Sequence, residues 1–131
     1  MTAVMMPSSA VAPGALQTIE KLPQQLNLAF VQGDDFRFTL VLMNEEDGSP
    51  FDLSGAEPRS QIRQQPAAGV AAEFEVEAGG DENNEISLHL THEQSTKLPV
   101  GRLMWDCQIT QAGEVTTITA GSVAVSPEVT R

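Results

Sequence analysis

One thiol, two imidazoles and many carboxylates are the groups in this sequence that could do chemistry. A nucleophilic triad needs a thiol or hydroxyl beside a base, and the sequence offers Cys107 with His89 and His92. Cys107 alternates with Leu103, Trp105 and Ile109, which places it on the apolar face of a strand as a buried, inert thiol. His89 alternates with Ser87 and Thr91 on a solvent face, and His92 falls in the first turn of a short helix. A zinc site using both would need further ligands, and no other Cys or His is present. Oxygen ligands crowd Asp81-Glu82-Asn83-Asn84-Glu85 and residues 44–47, but neither run has the spacing of an EF-hand loop, so both read as solvated turns. Gly79-Gly80 leads into acids and a strand, not into a helix carrying Lys, so it is not a phosphate loop. The expectation is a non-enzyme with no catalytic, cofactor-binding or metal-binding residue and no small-molecule substrate.

Charge narrows the partners. The 131 residues carry 18 acidic and 7 basic side chains, a formal net charge of −11. Between Arg63 and Lys97 there is no Lys or Arg, while seven acids fall there. Such a chain repels phosphate backbones and anionic headgroups, so neither nucleic acid nor a membrane surface is expected as a partner. The acidic stretch reads as a solvated face or as a docking surface for a basic patch on a protein partner. A single cysteine excludes an intramolecular disulfide and fits synthesis in a reducing cytosol. No apolar run approaches the ~20 residues that span a bilayer. The start, Met1 to Pro7, has no basic segment, and no secretory signal is expected.

The elements that would position these groups are mostly strands. Residues 1–24 carry Pro7, Pro13 and Pro23 and hold neither periodicity for long; residues 15–22 could make a helical turn or two. They read as an extended N-terminal arm lying on a neighbouring subunit, with Leu16, Ile19 and Leu22 as the partner-binding residues. From Leu26 a period of two takes over. Leu26, Leu28 and Phe30 alternate, then Phe36, Phe38, Leu40 and Leu42 after the turn Gln32-Gly33-Asp34. Asp47-Gly48 closes a turn, residues 57–64 bury Ile62, and Glu73-Phe74-Glu75-Val76-Glu77 alternates charge with hydrophobe. Ile86, Leu88 and Leu90 face inward. Thr91-His92-Glu93-Gln94 is a capping box for a short helix that Pro99 ends. Leu103, Trp105, Cys107 and Ile109 form one face of the next strand. A final strand covers residues 115–125, with a bulge expected at Gly121. About seven strands and one short helix predict an all-β, Ig-like antiparallel sandwich over residues 25–131 behind the arm 1–24. The segments 26–31 and 115–125 are the expected sites of sheet extension between copies.

The order of motifs carries a resemblance. It runs Gly33-Asp34-Asp35-Phe36, then Asp47-Gly48-Ser49-Pro50-Phe51-Asp52-Leu53-Ser54-Gly55, then Leu98-Pro99-Val100-Gly101-Arg102-Leu103-Met104-Trp105. Over about residues 26–131 this is similar to small Ig-like structural proteins of phages and prophages, and to the N-terminal domain of phage baseplate upper proteins. The resemblance implies a virion structural protein of the tail, baseplate or fibre-attachment apparatus, made in the bacterial host cytoplasm. Its partners would be other virion proteins and copies of itself. The alternatives in order are a capsid cement or decoration protein and a carbohydrate-binding or adhesin module; the latter usually displays exposed aromatics, whereas Trp105 sits on a core face.

Overall fold

In the computed structural model the described residues are 11, 14–19, 24–44, 46–65 and 69–129. In chain order they form β1 (Leu16–Ile19), β2 (Gln24–Gln25), β3 (Leu28–Val31), β4 (Phe36–Leu42) and β5 (Glu57–Arg63). After these come β6 (Val70–Glu73), β7 (Glu75–Gly79), β8 (Glu85–Leu90), the helix α1 (His92–Thr96), β9 (Gly101–Gln111) and β10 (Glu114–Ser126). Two sheets pack as a sandwich. One has the order β1-β4-β8-β7; the other runs β2-β10-β9-β5-β6, with β3 also paired to β10.

Period-two alternation explains the layers, because successive side chains of a strand point to opposite faces. Phe36, Phe38, Leu40 and Leu42 of β4 are buried, as are Ile86, Leu88 and Leu90 of β8. Leu103, Trp105, Cys107 and Ile109 close the core from β9. Five aromatic rings join across it: Phe38 lies edge-on to Trp105 at 5.7 Å and to Phe74 at 5.9 Å, and Phe36 reaches Phe30 at 5.0 Å.

One crossing moves the chain between sheets, and one break interrupts a strand within a sheet. At Phe74 the backbone leaves β6, paired to β5, and enters β7, paired to β8. Phe74 is buried, its N–H donates to the Ser60 carbonyl at 3.0 Å, and the Gln94 amide holds the Glu73 carbonyl at 2.8 Å. Between β2 and β3, Leu26 and Asn27 leave the ladder with β10. The Trp105 indole N–H donates to the Leu26 carbonyl, and the Asn27 side-chain oxygen accepts from the Ser122 N–H at 3.2 Å.

The capping box forms as read. Thr91 is the N-cap in extended conformation, its hydroxyl accepts from the Gln94 N–H at 3.2 Å, and the Gln94 side chain accepts from the Thr91 N–H at 2.9 Å. Buried Ser95 ties the helix to the β3–β4 turn by accepting from Gly33 N–H and donating to the Asp34 carbonyl.

The N-terminal reading needs correction. Leu16–Ile19 is not helical; it is a strand parallel to β4, registered from Leu16 on Thr39 to Ile19 on Leu42. Ile19 is fully buried in this chain's own core, because that register turns it inward beside Leu42. Leu16 points out and is 71% exposed. Leu22 lies outside the described residues, as does most of the segment read as an arm. Val11 is buried too and bridges Leu28. The β10 segment is not an edge, since β9 flanks it on one side and β2 and β3 on the other. Its bulge falls between Thr117 and Thr119 rather than at Gly121.

Candidate functional site

The sequence's chemical groups are dispersed. Cys107 faces the core from β9, and burial, with Asp106 adjacent, pushes its thiol up to about 12. His89 faces out from β8, as read, but neighbours cover it: its side chain is 19% exposed. Its Nε2 is 3.2 Å from Asp35 Oδ1, and its Nδ1 is 3.5 Å from Glu75 Oε1. Asp35 also accepts from the His92 N–H at 3.1 Å, so one carboxylate binds β8 and the start of α1 to the β3–β4 turn. The hydrogen bond from His89 holds the Asp35 carboxyl below its ordinary value; desolvation opposes this in part, and the His92 N–H adds to it. This set fastens three elements together. Among the described residues no three His, Cys, Asp or Glu groups come together in a way that could hold a metal ion.

The acidic loops are occupied with their own turns. Asp47 accepts from the Ser49 hydroxyl at 2.7 Å and the Ser49 N–H at 3.0 Å, and Asp52 does the same for Ser54 at 2.6 and 2.9 Å. Those serine bonds lower both carboxyls, hydroxyl first and N–H second. Asn83, at φ 54, reaches the Ser54 hydroxyl at 3.2 Å, and the Gln111 amide caps the Asp52 and Ser54 carbonyls at 3.0 Å each. Three connections are thereby laced into one end of the sandwich.

A concavity lies elsewhere, on the outer face of the β2-β10-β9-β5-β6 sheet, with a volume of about 850 Å³. Its floor is low because Ala120 and Ser122 of β10 have small side chains. Gln24 and Gln25 rise on one side, and Gln61, Arg63 and Gln64 on the other. Arg102, Met104 and Asp106 project between them from β9. The Arg63 guanidinium donates to the Gln61 side-chain oxygen at 2.9 Å. Burial pushes the Asp106 carboxyl up, while the charge of Arg63 pulls it back. The groove therefore collects two guanidiniums and four amides in an acidic protein.

Sequence reading did not find this groove. The available signal was the outward set Gln61 and Arg63 on one strand and Arg102, Met104 and Asp106 on another. Only the pairing of Gln61 with Asp106, Arg63 with Met104, and Met104 with Ser122 puts them on one face.

No protein-family model matches the chain, and no curated protein does. Solved structures do. The N-terminal domain of phage TP901-1 ORF48 superposes with a TM-score of 0.53 at 16% identity, covering 86% of this chain and 98% of that one. The cysteine protease inhibitor EhICP2 from Entamoeba histolytica is a looser likeness, with a TM-score of 0.42 at 11% identity over 85% of this chain and 95% of that one. The fold is thus shared with a phage protein domain taken nearly whole.

Proposed function

We propose that this chain is a structural subunit of a bacterial-virus particle, in the tail, baseplate or fibre-attachment apparatus, acting by protein–protein contact without catalysis. The observation that carries this reading is the likeness to the ORF48 N-terminal domain, which spans 98% of that domain. The order of turn motifs from Gly33 to Trp105 supports the same context independently. The charge of −11 supports protein partners over nucleic acid or anionic lipid. A glycan-binding role would draw on exposed aromatics, whereas Trp105 and Phe74 are consumed in the core.

The test is mass spectrometry of density-banded particles from cells carrying the gene, with tails and heads separated. The chain is expected in the tail fraction, in stoichiometric amount. Recovery on tail-less heads alone would move it to capsid decoration, and absence from every particle fraction would end the virion reading.

A further inference from the structure

Among the described residues, the loops at one end of the sandwich carry acids without cations, whereas the other end mixes Asp34, Asp35, Glu93 and Glu128 with Arg37, Arg63, Lys97 and Arg102. At the end where β4 finishes and β5 begins lie Glu46, Asp47 and Asp52; the β7–β8 turn adds Asp81 and Glu82, and the start of β10 adds Glu114. Among the described residues, the loops and turns at that end hold no Lys or Arg. Arg63 closes β5 and Arg102 opens β9, so both guanidiniums of the groove sit toward the other end. Arg63 and Arg102 against Asp106 leave the groove lining with an excess of positive charge.

We infer that copies of this chain dock on one another, the acidic end of one copy, led by Asp81 and Glu82, seating in the Arg63–Arg102 groove of the next. Charge complementarity selects the occupant: the Asp81–Glu82 turn is exposed and carries no cation. The floor of Ala120 and Ser122 lets a turn approach the sheet closely, and Gln24, Gln25, Gln61 and Gln64 are placed to receive its backbone amides. A contact between two different surfaces is heterologous, so it builds a ring if the rotation closes and a stack if it does not. The net charge of −11 makes copies repel on average, so a docked orientation has to bring opposite charges together. The inference deepens the proposed function and rests on the chain's acting by protein contact, since it names a second copy as one partner.

The experiment is sedimentation of the full chain over a wide concentration range at physiological ionic strength. A species of 14.0 kDa is expected when dilute, growing to multiples of that mass when concentrated. The double variant Arg63→Glu with Arg102→Glu stays monomeric, and so does Asp81→Lys with Glu82→Lys. Mixing the two restores assembly with alternating chains, because reversed groove meets reversed turn and native groove meets native turn. Melting curves check that each variant folds. The exposed single change Arg102→Glu, which leaves the groove floor intact, weakens association about tenfold. A wild-type chain that stays at 14.0 kDa at every concentration overturns the inference, as does a reversed groove that associates like wild type. A monomer found on particle tails would sink self-docking and leave the virion reading standing; self-association with no particle would do the reverse.

Discussion

The Trp105 indole N–H donates to the Leu26 carbonyl oxygen at 2.9 Å, across 79 residues of chain. The same oxygen sits where a Cβ on Gly121 would have to go. Glycine at 121 therefore admits the carbonyl, and tryptophan at 105 satisfies it. Together they hold the break between β2 and β3 against the middle of the sheet.

Each side of that arrangement is testable. Gly121→Ala pushes the Leu26 backbone out of its bond and is expected to cost about 1–3 kcal/mol, as overpacking does. Trp105→Phe keeps an aromatic ring against Phe38 but leaves a buried carbonyl without a donor, at a cost of roughly 1–3 kcal/mol. Urea unfolding monitored by circular dichroism measures both. Since the two changes strike one contact, the double variant falls short of the sum; full additivity would show that the contact does not hold the kink.

Ile19 gives a second prediction. It is fully buried, so Ile19→Ala is expected to destabilise the isolated chain by about 2–5 kcal/mol through lost burial and a cavity. Leu16→Ala, at 71% exposure, is expected to change stability by no more than about 0.5 kcal/mol. Equal and small effects at both positions would return Ile19 to the arm.

Asp35 makes stability depend on pH. Its folded-state carboxyl lies below its ordinary value, chiefly through the His89 hydrogen bond, so the unfolded chain takes up the proton first as pH falls. The contribution is complete above the unfolded value, roughly 3.9, and is lost as pH drops through the lower folded value. Asp35→Asn, which abolishes the titration, is expected to flatten the acid limb of a plot of urea midpoint against pH from about 2 to about 7. An acid limb of unchanged slope in the variant would refute the assignment.

Cys107 is expected to resist an aromatic disulfide reagent in the folded protein and to react at once in urea. Its thiol is buried and pushed up to about 12, and the thiolate is the reacting form. Labelling rates should follow global unfolding, slowing as stability rises. Fast labelling under native conditions would mean that β9 opens locally.

What the sequence displays of this fold is its local part. Phe36 to Leu42 alternates so regularly that β4 and its buried face can be read directly, and Thr91 with Gln94 marks the helix start to the residue. Leu16 and Ile19 are spaced three apart, which mimics a helical turn; the strand they form exists only because β4 offers a parallel partner some twenty residues on. The crossing at Phe74 is hidden for a related reason, since Val70 to Glu73 has one β-branched residue and two alanines, which favour strands little. The groove was beyond reach because its walls come from separate strands and its floor from small residues, Ala120 and Ser122, on another.

The parallel seam between β3 and β10 has a mechanical consequence. Tension entering the chain ahead of Leu28 and leaving it after Ser126 pulls these two strands along their lengths in opposite directions. The rungs from Leu28–Val123 to Val31–Ser126 then carry the load side by side, and none can fail before its neighbours share the strain. A protein pulled at its ends in this way yields abruptly and late, as a peg does, and does not peel open like a zip.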